Sequence, residues 1–257
     1  MSSPLAWYRY RNFSLMVLLL AAGNTCKISC QPVRINEQLI QYLPFNGNSI
    51  DATGNGNNAT VYGATFGEDR HGDPSGACYF DGIDDYIDLS DDFDYPERSI
   101  CLWFKAFEIP AWIPGNKDAS LDILYTSDHP GLQHGLTKIW LSELNGTDRI
   151  FFHNGGADDI ADYAFEMIPG EWNFAAVTVT PLMIHYYLNG EHVGSRVFPG
   201  NIHSVDPSLL VNAALGIGRM LDHRYYNGAI DDIYIYNRAI TACEVLYLYN
   251  GNLPDER

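Results

Sequence analysis

Residues 228–238 read Gly228-Ala229-Ile230-Asp231-Asp232-Ile233-Tyr234-Ile235-Tyr236-Asn237-Arg238. Ile and Tyr suit a pleated, half-buried surface, so this run is a strand. Simple alternation puts Asp231 on one face with Ile233 and Ile235, and that face is expected to point inward. Similar short runs rich in Val, Ile, Tyr, Phe and Trp recur near 39–45, 59–64, 77–89, 99–107, 121–126 and 136–142. Others follow near 149–153, 172–179, 183–188, 192–198 and 210–217. Gly, Asn, Asp or Pro bound most of them, as turn chemistry requires. Met183-Ile184-His185-Tyr186-Tyr187-Leu188 enters Asn189-Gly190 and leaves through Glu191-His192-Val193, which predicts a hairpin on a type I′ turn. A dozen short strands without a long helical pattern make an all-β chain of two packed antiparallel sheets. One helix is expected at the end. Thr241-Ala242-Cys243-Glu244 is a capping box, Ile240 and Val245 hold the staple positions, and Gly251 offers the stop.

The 257 residues carry 46% hydrophobic and 18% charged side chains, enough apolar material for one sizeable core. The net charge is −17, and such a chain repels phosphate backbones, which excludes a nucleic-acid partner. The acids are skewed toward Asp, 22 against 10 Glu, beside 19 Asn and 23 Gly. Short oxygen donors of this kind populate turns and also suit calcium.

Arg9 and Arg11 precede the apolar run Phe13 to Ala22, with Ala21 and Gly23 as small residues at its end. This is the pattern of an export signal cut after about Gly23. The run is shorter than the ~20 residues that span a bilayer. The expected organisation is a signal at 1–23, a linker at 24–35, one domain at 36–252 and a tail at 253–257. Localisation is then secreted or cell-surface, with Cys26 or Cys30 as the candidate for a lipid-modified N-terminus, which would extend the signal to 25 or 29. Export permits disulfides. Cys26, Cys30, Cys78, Cys101 and Cys243 are five in number, and Cys78 and Cys101 sit in expected strands from which they could pair across a sheet. Asn58-Ala59-Thr60 and Asn145-Gly146-Thr147 fit the N-glycosylation pattern.

Several segments in order carry a family resemblance. They are Leu43-Pro44-Phe45-Asn46-Gly47-Asn48, then Asp51-Ala52-Thr53-Gly54-Asn55-Gly56-Asn57, then Tyr79-Phe80-Asp81-Gly82-Ile83-Asp84-Asp85-Tyr86-Ile87. Ile100-Cys101-Leu102-Trp103-Phe104-Lys105, Glu171-Trp172-Asn173-Phe174-Ala175-Ala176-Val177, Tyr187-Leu188-Asn189-Gly190, Ile217-Gly218-Arg219 and the 228–238 strand complete the set. Over roughly residues 39–250 the chain resembles the LamG-like jelly-roll group of the concanavalin A-like lectin/glucanase superfamily. The resemblance implies a jelly-roll sandwich with one curved, solvent-facing sheet, and first and last strands side by side. It also implies a structural metal at the matching Asp of the final strand. If the strands near 39–45 and 229–236 are neighbours, the Asn/Asp/Gly loop at 46–57 lies beside Asp231. No Lys or Arg occurs in 45–60, so calcium is expected to offset the inward carboxylate, with Asp231 as ligand and Asp51, Asn46 and Asn57 as further ligands. The alternative is an Asx-rich turn with Asp231 bonded to backbone amides. The acidic run from Asp81 to Asp94 lacks EF-hand spacing and reads as solvated turns and edges.

Glycosidic cleavage needs two facing carboxylates, and the strand pattern E-x-D-x-x-E used by glucanases of this fold is absent. Neither H-E-x-x-H nor G-x-S-x-G occurs. No catalytic residue is assigned, and a non-catalytic carbohydrate-binding module is expected. Sugar needs an aromatic face and a few polar groups. The candidates are Trp140, which alternates away from Ile139 and Leu141, Trp112, and the pair Tyr225-Tyr226. Trp103 and Trp172 sit inside the fold's own motifs and read as core. The partner is a glycan or a cell-surface or extracellular protein, the second belonging to an adhesion module of the same fold. A glycoside hydrolase or lyase with an unfamiliar constellation is the remaining class.

Overall fold

A computed structural model of the chain describes residues 34–89, 95, 97–110, 121–126, 138–153, 163–197, 215–217, 219–220 and 224–252. The expected export segment, Cys26 and Cys30 lie outside the described residues. In chain order the strands are β1 (Leu39–Leu43), β2 (Thr60–Tyr62), β3 (Thr65–Gly67), β4 (Ala77–Asp81), β5 (Tyr86–Asp88) and β6 (Arg98–Ala106). Then come β7 (Leu121–Thr126), β8 (Lys138–Glu143), β9 (Asp148–His153), β10 (Tyr163–Glu166), β11 (Asn173–Val179) and β12 (Met183–Leu188). The last are β13 (Glu191–Val197), β14 (Leu215–Ile217), β15 (Arg219–Met220), β16 (Arg224–Tyr225) and β17 (Asn227–Tyr236), followed by helix α1 (Ala242–Tyr249).

Two antiparallel sheets result. One runs β13-β12-β11-β6-β17-β4-β3, with β1 also paired to β17; the other runs β10-β9-β8-β7-β14-β5-β2. A separate ribbon joins β15 to β16. The expected 77–89 strand is two strands, β4 in the first sheet and β5 in the second. The Asp81-Gly82-Ile83-Asp84-Asp85 turn carries the chain between them, with Gly82 at φ +79°. The first and last strands meet as the resemblance implied: β17 pairs with β6 along one edge, and along the other with β4 at its start and β1 at its end.

Alternation builds the core. Leu43, Ile100, Leu102, Phe104, Val177, Ile184, Tyr186, Ile233 and Ile235 from the first sheet pack with Ile87, Ile139, Leu141, Ile150 and Phe152 from the second. The opposite face of the first sheet carries Tyr42, Cys101, Trp103, Phe174, Tyr187, Tyr234 and Tyr236, roofed by Ile240, Val245 and Leu248. The helix lies there because its capping box forms as expected, Thr241 accepting from the Glu244 amide and Glu244 accepting from the Thr241 amide. The hairpin turn is also as expected, with Asn189 and Gly190 both at positive φ.

Cys78 and Cys101 are free and buried, so the expected cross-sheet pairing is corrected. Cys78 opposes Ile230 and belongs to the inter-sheet core, whereas Cys101 opposes Tyr234 under the helix. They face opposite sides of one sheet.

The second correction decides the site. The pairing of β17 with β6 shifts register between Asp231 and Tyr234, and Asp232 takes φ +47°. An extra residue in one strand resets which face later side chains take. Ile230, Ile233 and Ile235 therefore face inward, while Asp231 opposes Trp103 on the outer, helix-covered face. The expected inward Asp231 came from alternation without the bulge.

Substitutions at position 232 test the bulge. Asp232→Gly and Asp232→Ala both lose the carboxylate, but only Ala is strained at this φ, by about 1 kcal/mol. Asp232→Ala is expected to have the lower urea midpoint with an unchanged m-value. Equal midpoints would contradict the left-handed assignment.

Candidate ligand-binding site

Arg70 stands on a turn that Asp69 holds, its Oδ1 accepting from the amides of His71 at 2.7 Å and Asp73 at 2.9 Å. The guanidinium donates through Nη1 to Asp231 Oδ2 and through Nη2 to Asp232 Oδ2. Tyr42 donates its hydroxyl to Asp232 Oδ1 at 2.8 Å, and its ring stacks on Tyr234 at 4.8 Å. Asp231 and Asp232 are 2% and 4% exposed, so the bulge delivers two buried acids to one guanidinium. Charge-assisted bonds of this kind are stronger than neutral ones, and removing one partner of a buried pair costs about 3–5 kcal/mol. Arg70 is held charged: burial opposes the charge, but Asp232 and Asp231 outweigh it. Two carboxylates still share one cation. Burial first, and then the charge of Asp232, push the Asp231 carboxyl up to about 8 against the pull of Arg70.

The expected calcium set does not fit this arrangement. The positive charge sought for Asp231 comes from Arg70, outside the 45–60 window. Asp51 is 4% exposed and accepts from Tyr42 N, Thr53 N, Thr53 Oγ1 and Asn57 N, so protein donors already serve its carboxylate. Asn57 directs its side-chain amide to Ile40 O at 2.8 Å, and Asn46 is exposed. The loop lies beside the seam as expected, but it is knotted around Asp51 and tied to β1. Among the described residues, one acidic group brings three carboxylates within 4.8 Å, namely Asp81, Asp84 and Asp85. Asp81 accepts from the Ile83 amide and Asp85 from the Asp81 amide, which shapes the turn.

The sugar candidates are placed as follows. Trp140 alternates away from Ile139 and Leu141 as expected, but it is 6% exposed and stacks on Phe151 at 4.0 Å. One ring face is therefore occupied, which corrects its reading as an open platform. Tyr226 is fully buried between the sheets against Phe80, and burial pushes its phenol well up. Gly228 is required beside it, since a Cβ there would meet Lys105 O at 2.4 Å and Tyr226 Oη at 2.5 Å. Tyr225 is half-buried in the β15–β16 ribbon. Trp112 lies outside the described residues.

An open pocket of about 400 Å³ lies elsewhere, lined by Arg70, His71, Trp103, Trp172, Tyr249, Asn250 and Gly251. Its floor is the Arg70 fork, one wall is β6, and another is the end of α1. Trp103 takes the Arg70 guanidinium over its ring at 4.8 Å and stacks on Tyr249 at 5.5 Å. Its Nε1–H is buried without an acceptor. Trp172 and Tyr249 are half-buried and keep aromatic surface on the pocket. Trp103 and Trp172, read as core from their motifs, thus belong to the outer face and line this cavity. Arg70 and His71 fall in no motif. The position of Trp172 just before β11 is the available sequence signal, because a Trp at a strand entrance is free to face outward.

A two-sheet jelly roll with an aromatic pocket on the outer face of one sheet is the class these features define. Residues 80–246 match the family model of the concanavalin A-like lectin/glucanases superfamily, and the chain belongs to that superfamily. No curated protein matches the chain. Domain 4 of an extracellular arabinanase from Geobacillus stearothermophilus, solved with arabinotriose, is similar at TM-score 0.61 and 19% identity, covering 82% of this chain and 98% of that one. The binding domain of botulinum neurotoxin serotype D is similar at TM-score 0.55 and 16% identity, covering 83% of this chain and 51% of the other. A Trypanosoma rangeli sialidase solved with sialic acid gives TM-score 0.60 and 14% identity, covering 82% and 32%. The chain thus spans about half of the toxin chain and a third of the sialidase, and at these identities the likeness is one of fold.

The raised Asp231 predicts a pH dependence. An unfolded Asp titrates near 3.9, so between about pH 4 and about 8 the folded chain holds more protons at this site. Its contribution to stability is fully present below that window and is lost as pH rises through about 8. Asp231→Asn mimics the protonated form. Urea midpoints at pH 5.5–8.5 are expected to show the wild type losing ground to Asp231→Asn as pH rises. A difference that stays constant would contradict the shift.

Proposed function

We propose that the chain is a non-catalytic carbohydrate-binding module acting outside the cytoplasm, with its glycan seated in the Trp103–Trp172–Tyr249 pocket. The observation that carries this reading is an open cavity on which two half-buried aromatic rings, Trp172 and Tyr249, lie beside His71 and Asn250. Trp172 and Tyr249 supply apolar surface for a sugar ring, and His71, Asn250 and the Gly251 backbone supply polar groups for its hydroxyls. The volume lies in the range of ~300–1,000 Å³ usual for small-ligand sites.

Binding is favoured over cleavage because none of the seven lining residues is a carboxylate, and glycosidic cleavage normally needs two. Asp231 and Asp232, directly behind the floor, are buried and committed to Arg70. The glycan-bound arabinanase domain and sialidase among the structural neighbours support the ligand class. The signal-like N-terminus supports export. The reading requires no ion at Asp231.

A glycan array that includes arabino-oligosaccharides and sialosides tests the proposal, followed by titration calorimetry on the best ligand. Trp172→Ala is expected to weaken binding about tenfold, in line with the ~0.5–1.5 kcal/mol of an aromatic contact beyond its buried area. Tyr249→Leu keeps an apolar side chain at the end of the helix and removes the second ring face, so it should weaken binding several-fold. Silence of the wild type on every glycan overturns the carbohydrate reading in favour of protein adhesion. Release of reducing ends by purified protein overturns the non-catalytic part.

A further inference from the structure

A second bulge lies at the opposite side of the same sheet. The β12–β13 pairing sets Tyr186 against Gly194 and Tyr187 against His192, leaving Val193 without a counterpart. Ile184 and Tyr186 point into the inter-sheet core, so His185 takes the outer face. Its register partner is Ser195, and the bulge brings His192 round to the same place. His185 Nδ1 lies 2.7 Å from Ser195 Oγ, and His192 Nε2 lies 2.8 Å from the same atom. The two ring centroids are 5.5 Å apart.

We propose that His185 and His192 form a binding site for a divalent transition-metal ion, zinc being the probe of choice. Imidazole nitrogens are the ligands such ions prefer, and here two converge on a single point. Zinc takes nitrogen at about 2.0–2.1 Å, so binding requires the rings to close by well under 1 Å around the position now held by Ser195 Oγ. One χ1 rotation clears the hydroxyl or keeps it as a third ligand. Water fills the remaining positions, which makes the site open and exchangeable. The backbone has already set the geometry through the bulge, and the Tyr187 ring, edge-on to His192 at 5.2 Å, restricts that imidazole. Thr178, opposite His185 on β11, adds no charge. The nearest alternative is that one ring donates to the hydroxyl and the other accepts from it. That arrangement satisfies all three groups but gives no affinity for metal. The site is separate from the aromatic pocket and stands or falls independently of the carbohydrate reading.

Calorimetric titration of the full chain with zinc chloride at pH 7.5 is the test. One ion per chain is expected at micromolar affinity. His185→Gln and His192→Gln should each weaken it at least tenfold, and Ser195→Ala should retain it. Binding should weaken as pH falls below 6.5, because protons compete for the rings. X-ray absorption at the zinc edge of the wild-type complex, which requires no variant to fold, should show two imidazole nitrogens. Absence of binding below about 100 μM, equal affinity in the double His variant, or a coordination shell of oxygen alone would overturn the proposal.

Discussion

Two adjacent carboxylates and one guanidinium, all buried, constrain the rest of this molecule. A charge removed from water must be paired, and Arg70 is the partner that both Asp231 and Asp232 take. The fork can form only if consecutive residues of β17 face the same way, which a regular strand forbids. The left-handed φ of Asp232 supplies that exception. The bulge and the ion cluster therefore require each other: without Arg70 the bulge would expose two acids to an apolar face, and without the bulge Arg70 would reach one.

The same cluster closes the chain on itself. Tyr42 of β1 donates its hydroxyl to Asp232 and its backbone amide to Asp51, so the first strand, the 46–57 loop and the last strand are linked through one residue. The turn at Asp69–Asp73 brings in Arg70 from a third direction. Outward of the fork, the guanidinium lies on Trp103, Trp103 stacks on Tyr249, and Tyr249 ends the helix. A pocket with an aromatic wall and a charged floor is the geometric consequence. The capping box matters here because it fixes where the helix starts, and hence where Tyr249 falls.

Most of the architecture was legible. Alternation, Asn189-Gly190 and Thr241-to-Glu244 each encode a local geometry with few alternatives, and the structure shows all three. The meeting of the terminal strands was carried by family resemblance. The failure at Asp231 has one physical reason. A bulge is invisible to period-two counting, and a single extra residue reverses the face of everything before it. Alternation reads Asp231 as inward, and its cation is sought in the 45–60 loop, although Arg70 stands beyond that window on the following turn. Trp103 reads correctly as core, and the core it joins is the cluster beneath the helix. Trp140 was read on the correct face, yet whether Phe151 would cover it depends on cross-strand register that residue types do not encode. Tyr226 shows the converse. A Tyr pair before Asn-Gly suggests an exposed loop, but Gly228 lets the chain pass closely enough to bury the ring.

The claim that the fork organises the seam and the pocket floor reduces to one coupling energy. A double-mutant cycle with Arg70→Met and Asp232→Asn, read from urea unfolding at pH 7, measures it directly, and Asn tolerates the left-handed backbone at position 232. The expected coupling is at least about 2 kcal/mol, because Arg70→Met leaves the Asp232 carboxylate buried without a cation, a cost that Asp232→Asn removes. Additivity within about 0.5 kcal/mol, the behaviour of independent sites, would show that Arg70 and Asp232 do not act as a unit.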